Sequence, residues 1–338
     1  MRLLACRARL EVREPLSCVL GDQLRVCDAG SAEFYDLPMA QVEANGITIE
    51  YEQYGSGDPL LLVMGLGGQL TDWPEGFVDE LVGAGFQVTV FDNRDIGLSS
   101  EFDWVPTSPV MAWLCSLACR MLKSFYTIVD MAADAAGLLD ARGIESAHVV
   151  GMSMGGMIAQ QLTIDFPAKV CSLTSIMSNP GDGKSGRIAA KVMAKMARMP
   201  DPTYENAADR SVESFQLWSS PHFDPEVHRA RSQASVERSF RPMGTARQTV
   251  AIMASPDRTP GLGQVTVPTL VIHGLVDTLV KPSGGIATSK AVPDSTLLMF
   301  PDMGHDLPEP RWADMVAAIR ANADAAAPAA TAAPALAG

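Results

Sequence analysis

The sequence predicts a mostly parallel α/β sheet flanked by helices, with a helical cap inserted late in the chain. Three observations carry this. Between residues 47 and 180, apolar runs of strand length alternate with segments of helical period, the pattern of βαβ units. From about Gly181 to Gly261 the alternation lapses into helix-like sequence and then resumes. Finally, Gly151-Met152-Ser153-Met154-Gly155-Gly156 joins a short apolar strand to a helix. That is how a reactive serine is held on a strained strand-to-helix turn.

Taken in order, Ile47 to Gln53 reads as a strand, and Leu60 to Met64 (LLLVM) as a strand buried on both faces. Phe77 to Val82 is helical and Phe86 to Phe91 (FQVTVF) is the next strand. Met131 to Arg142 repeats apolar residues at helical spacing and stops at Gly143, a natural helix end. Ala147 to Val150 is a strand and Met154 to Phe166 a helix. Val170 to Met177, Thr269 to His273 and Thr296 to Phe300 are further strands. Arg187 to Met199 is an amphipathic helix within the insertion. The expected organisation is a leader over 1–38, a core formed by 39–180 and 262–321, a cap over 181–261 and an Ala/Pro-rich disordered tail over 322–338. Met39 stands where the native start would lie if the leader were an over-extension.

The 338 residues carry a net charge of −13 with Lys and Arg scattered, which argues against a nucleic-acid partner. The six cysteines (Cys6, Cys18, Cys27, Cys115, Cys119 and Cys171) contain no C-x-x-C pair, so neither a zinc site nor a disulfide framework is expected. Free thiols fit a reducing cytoplasm. The longest apolar stretch, Val110 to Leu122, contains Arg120 and is too short to span a bilayer. A helix beside a pocket mouth is expected there, with no stable membrane insertion.

The chemistry follows from Ser153. A serine hydroxyl is a poor nucleophile until a base takes its proton. Of the five histidines, His148 falls inside a strand, His273 ends one, and His222 and His228 lie in the insertion. His305, in Pro301-Asp302-Met303-Gly304-His305, occupies a loop directly after the last strand, which can bring an imidazole to the carboxyl edge of the sheet. The imidazole needs a carboxylate to fix its tautomer. Asp277, after the strand ending at His273, is the first choice, and Asp182 is the substitute. Asp302 and Asp306 read as solvated loop charges. Acyl transfer also creates an oxyanion that needs two donors. The Met154 N–H is one, and the Leu66 N–H of Gly65-Leu66-Gly67-Gly68 is the other. No metal and no cofactor is required. Trp73, Met196 and Trp218 are candidates for an apolar substrate wall.

From about Val42 to Ile319 the chain resembles a capped α/β-hydrolase of the esterase, lactonase and cofactor-free haloperoxidase group, nearest in feel to the aclacinomycin methylesterase-like members. The similar residues are MGLGGQLTDW (64–73), FDNRDIGLS (91–99), DMAADAAGLLDARGIESAHVVGMSMGGMIAQ (130–160), VIHGLVDTLV (271–280) and PDMGH (301–305). The resemblance implies the order nucleophile, acid, base, here Ser153, Asp277 and His305. Two departures stand out: Met64-Gly65 in place of His-Gly, and Arg94-Asp95-Ile96-Gly97 in place of R-G-x-G. Both occur in the methylesterase-like branch. The expected function is hydrolysis of a small-molecule carboxylic ester. Lactonase, methylesterase, perhydrolase and carbon–carbon hydrolase activities share the same residues. An aminopeptidase needs an acidic grip on an amine, for which Glu205 and Glu213 are the available residues, and a non-enzymatic binding module would tolerate a degraded site. Nothing in 181–261 is needed by the serine, acid or histidine, so the insertion is expected to select substrate.

Overall fold

The computed structural model describes residues 40–106 and 124–326. Eight strands form one sheet: β1 (Ala40–Ala44), β2 (Ile47–Tyr54), β3 (Asp58–Val63), β4 (Phe86–Phe91), β5 (Ala147–Met152), β6 (Val170–Ile176), β7 (Thr269–Gly274) and β8 (Thr296–Phe300). Their spatial order is β1-β2-β4-β3-β5-β6-β7-β8. β1 and β2 are antiparallel to each other, and β2 to β4. Every later pairing is parallel. Strand β1 was not foreseen. Its signal is the dipeptide Asn45-Gly46, both at positive φ, which closes a tight hairpin onto β2.

The core explains why the central strands are uninterrupted apolar runs. Leu61 and Val63 point to one face of the sheet, where they meet α2 (Ile128–Ala141) and α3 (Met154–Asp165). Leu60 and Leu62 point to the other, against α1 (Glu75–Gly83) and the C-terminal α10 (Trp312–Asp324). A strand covered on both faces cannot alternate apolar with polar residues. Helix α10 ends at Asp324, inside the segment that composition assigned to the tail.

Between β6 and β7 the chain forms α4 (Ala190–Met196), α5 (Ala207–Phe215), α6 (Pro225–Arg238), α7 (Pro242–Ala254) and the short α8 (Thr259–Leu262). Helix α4 covers only the middle of the run from Arg187 to Met199, because Ala189 is extended and the helix starts after it. Helix α9 (Ser283–Ala291) then links β7 to β8. The apolar stretch Val110 to Leu122 and the leader over 1–38 lie outside the described residues.

Two glycines let β5 run straight into α3. A methyl group on Gly155 would lie 1.9 Å from the Val63 carbonyl oxygen, and one on Gly151 would lie 2.1 Å from that of Gly155. Both obstacles are backbone, which cannot move aside without disturbing the sheet. Gly155→Ala is therefore expected to cost about 1–3 kcal/mol or more in urea unfolding. Gly83→Ala, at a helix end where an added methyl meets nothing within 4 Å, should instead be neutral or gain up to about 1 kcal/mol.

Candidate active site

Ser153 stands between β5 and α3 with φ 58° and ψ −118°, a conformation that an L-residue adopts only when the surroundings impose it. The close approach at Gly151 and Gly155 imposes it, and the Ser153 N–H is tied to the Ile176 carbonyl of β6 at 2.9 Å. The turn pushes the side chain out beyond the carboxyl end of the sheet. The Met154 N–H, at the first position of α3, points the same way with the positive end of the helix dipole.

His305 reaches Ser153 from the loop after β8. Its Nε2 lies 2.9 Å from Ser153 Oγ, and its Nδ1 lies 2.7 Å from Asp277 Oδ2. A carboxylate only accepts, so the proton resides on Nδ1 and Nε2 is left to accept from the serine hydroxyl. Asp277 is buried, and its other oxygen accepts from the N–H groups of Leu279 at 2.9 Å and Val280 at 2.8 Å. The carboxylate thus presents one fixed edge to the imidazole.

The other histidines are occupied elsewhere. His148 Nδ1 is 2.9 Å from Ser172 Oγ inside the sheet, and burial pushes this histidine down. His273 is fully buried beside Asp277, 3.6 Å from its Oδ2, and its Nε2–H donates to the Val280 carbonyl at 2.8 Å. Burial lowers His273 too and keeps it neutral. His228 lies between α5 and α6 against Ser211, with burial pushing it down to about 4. His222 pairs with Asp302 at 2.9 Å. Asp182, the alternative acid, spends its carboxylate within its own turn on Lys184 N–H, Ser185 N–H and the Ser185 hydroxyl.

Of the two aspartates read as solvated loop charges, Asp302 is solvent-accessible but ion-paired, whereas Asp306 is drawn into contact with the insertion. Asp302 is bound by Arg311 at 2.9 and 3.0 Å as well as by His222. Asp306 accepts from Ser220 N–H at 2.9 Å, from the Ser220 hydroxyl at 2.7 Å and from Gly304 N–H at 3.2 Å. Ser220 belongs to the insertion. The neighbouring chain is joined to the same loop, because the His305 N–H donates to the Trp218 carbonyl at 2.7 Å. On the acid side, the Thr278 hydroxyl donates to the Leu217 carbonyl at 2.8 Å. Residues 217–220 therefore strap the loops that carry His305 and Asp277. The insertion does more than the sequence suggested.

The loop after β3 is fixed as firmly. Asp92, fully buried at the end of β4, accepts from Leu70 N–H at 2.7 Å, Leu98 N–H at 2.8 Å and Arg238 Nη1 at 2.8 Å. Asn93 Nδ2 donates to the Met64 carbonyl at 3.0 Å. This packing explains the variant motif over 94–97. A methyl on Gly97 would lie 2.0 Å from Asp92 Oδ2, so that glycine is required. Asp95 takes the left-handed conformation (φ 73°) where glycine is usual, and its carboxylate accepts from Phe102 N–H, the Tyr126 hydroxyl and Arg247. Those three bonds offset the backbone strain.

Leu66 is partly exposed, and Met154 is buried. Of the candidate wall residues, Met196 is partly exposed. Trp218 is buried against Phe215, and Trp73 is buried in the core, stacked on Phe77. Glu205 lines a surface cleft of about 320 Å³ with Asp209, Glu226 and Arg229; none of the residues converging on Ser153 is among its walls. Glu213 is exposed on α5. Among the described residues, no group of three His, Cys, Asp or Glu side chains is placed to hold a metal, and no helix is long and apolar enough to cross a membrane.

The family model for the alpha/beta hydrolase fold matches residues 58–310, and the chain belongs to this family. It is 28% identical over 319 residues to rhodomycin D methylesterase of Streptomyces peucetius, covering 86% of this chain and 99% of that protein. It is 26% identical over 275 residues to a 2-hydroxy-6-oxononadienedioate/2-hydroxy-6-oxononatrienedioate hydrolase of Dechloromonas aromatica, covering 77% and 84%. Among solved structures, the enol-lactonase of Burkholderia xenovorans superimposes with a TM-score of 0.63 at 20% identity, covering 84% of this chain and 99% of that one. At such identity the likeness concerns the fold.

Asp306 offers a test of the strap. Burial pushes its carboxyl up, against the lowering effect of its bonds to Ser220 and Gly304. A raised folded-state value means that its contribution to stability is present at acid pH and is lost as pH rises through that value. At neutral pH the charge is therefore carried at a cost. Asp306→Asn, which keeps an acceptor without the charge, should melt at or above the wild-type temperature at pH 7. Asp306→Ala orphans the Ser220 N–H and should lose about 1–3 kcal/mol.

Proposed function

We propose that the protein hydrolyses carboxylic esters through an acyl-enzyme on Ser153. The observation that carries this reading is the unbroken relay from Asp277 through His305 to Ser153, at 2.7 and 2.9 Å. The Ser153 Oγ attacks the ester carbonyl carbon while His305 Nε2 takes its proton. Asp277 holds the imidazole by its Nδ1–H and balances the imidazolium charge. The carbonyl oxygen becomes an oxyanion, received by the N–H groups of Met154 and Leu66. Collapse breaks the bond to the alcohol oxygen, which leaves with the proton from His305. Water, activated by the same imidazole, then releases the acid and restores Ser153.

A methyl ester or a lactone fits this chemistry equally, since both present an acyl carbon and an alkoxide leaving group. The methylesterase among the relatives supports the first as substrate class. Residues 181–261 act as the cap that selects among esters, with Met196 and Trp218 as its apolar determinants; Trp73, packed in the core against Phe77, supports the loop after β3 from beneath. An apolar wall discriminates by about 1–3 kcal/mol per methylene-sized change, so it sets acyl-length preference without touching the relay.

An organophosphonate should label Ser153 alone, and Ser153→Ala should lose both label and esterase activity. His305→Ala should lower kcat by about 10³-fold or more, with Asp277→Asn milder than this. If Asp182→Asn proves worse than Asp277→Asn, the acid is misassigned. Met196→Ala and Trp218→Ala should change the ratio of kcat/KM between short and long nitrophenyl esters; a profile unmoved at both positions would remove the selecting role from the cap.

A further inference from the structure

The loop that follows β3 spends its backbone donors one by one. The Gly68 N–H closes a turn onto the Gly65 carbonyl at 3.2 Å. The Gln69 N–H goes to Asp72 Oδ2 at 2.8 Å and the Leu70 N–H to Asp92 Oδ1 at 2.7 Å. The Gly67 N–H goes to Gln248 Oε1 at 2.9 Å. Three of these four acceptors lie in the core within 25 residues of the loop. The fourth is a side chain of α7, 181 residues away, in the insertion.

Gln248 is fully buried and its orientation is determined at both ends. Its Nε2 donates to the Arg94 carbonyl at 2.9 Å, so the oxygen must face Gly67. A flipped amide would set donor against donor and acceptor against acceptor. Gly67 is at φ +72°, and a methyl there would press on Thr245 of α7 at 2.9 Å, so helix and loop are in close contact at this point. On the other side the loop abuts the nucleophile: a methyl on Gly65 would lie 3.3 Å from Ser153 Cβ. Leu66 is thus held between a residue against Ser153 and a residue clamped by Gln248. The N–H groups of 67–70 are committed, which leaves the Leu66 N–H, directly beside them, available to a ligand.

We propose that Gln248 is a positioning residue for the reaction at Ser153: by taking the Gly67 N–H it fixes the plane of the oxyanion loop and leaves the Leu66 N–H aimed at the oxyanion. This rests on the esterase reading above. It places a determinant of reaction rate inside the segment otherwise assigned to substrate selection. Losing an oxyanion donor outright costs about 10²–10³-fold in kcat. Loosening the loop that presents it should cost less, about 10- to 100-fold, and should act on the transition state while leaving substrate binding alone.

The test compares wild type with Gln248→Met, which keeps the volume and removes both hydrogen bonds, and with Gln248→Glu, whose carboxyl, protonated in this fully buried site, offers an acceptor to Gly67 and an O–H donor to the Arg94 carbonyl. Nitrophenyl ester kinetics should show kcat down about 10- to 100-fold in Gln248→Met with KM within about twofold, and substantial recovery in Gln248→Glu. A trifluoromethyl ketone gives an independent reading. Ser153 Oγ adds to its carbonyl carbon, the serine proton passes to His305, and the hemiketal oxygen ionises in the oxyanion site. By ¹⁹F NMR that ionisation should move to higher pH in Gln248→Met. A merely structural role would lower the melting temperature without moving the hemiketal titration. If Gln248→Met does not fold, Gln248→Asn, with its amide drawn back by one carbon, should show an intermediate loss in both readouts. Folded variants with wild-type kcat and titration overturn this proposal alone. A wild-type protein that neither hydrolyses esters nor forms the hemiketal overturns the esterase reading and this proposal with it.

Discussion

A strand and a helix meet at Ser153 with no room for a side chain on either flank, and the rest of the site is arranged around that junction. The backbone of α3 lies so close to β3 and β5 that Gly151 and Gly155 admit no methyl group. In return the serine is held at φ 58°, clear of the sheet, at the positive end of a helix. Strain of this kind persists only where surrounding structure over-determines it. Here the parallel strands β3, β5 and β6, buried on both faces, supply the rigidity.

Around this fixed point the other site residues stand on loops, and each loop is tied to the insertion. The His305 loop is bonded to Trp218 and Ser220, the Asp277 loop to Leu217, and the loop after β3 to Gln248. Gln69 and Asp92 add a further tie, through Arg238 of α6. Bonds of this sort contribute about 0.5–1.5 kcal/mol each, little beside the burial of the core. Their importance is geometric. An ångström of drift in a hydrogen-bond relay or an oxyanion donor is enough to cost orders of magnitude in rate. A segment that looks like a specificity cap by composition is also the frame on which the site is set.

The two departures from the usual family motifs have contrasting physical accounts. Asp95 keeps the left-handed backbone that glycine would adopt more easily, and three hydrogen bonds to its carboxylate hold it there. Met64 sits in the core with its carbonyl held by Asn93, so the residue before Gly65 serves here as packing.

The sequence alone determined the parallel α/β architecture, the strand positions and the placement of Ser153, Asp277 and His305, because those depend on local pattern. An apolar run of five residues closed by glycine needs no partner to be recognised as a buried strand, and the strand-to-helix turn at Ser153 is spelled out within six residues. β1 is marked in the sequence only by Asn45-Gly46, because its own alternation is too short to stand out as a strand. What only the tertiary structure decided is which distant polar groups meet. Nothing near Gln248 marks it as the acceptor for Gly67, and nothing near Ser220 marks it as the partner of Asp306. Each lies in a helical insertion whose path over the sheet is set by packing rather than by period. A single buried glutamine in a helix reads the same whether it is idle or holds a loop 181 residues away. The difference is created when desolvation leaves its amide with one available donor and one available acceptor, and that happens only in the folded chain.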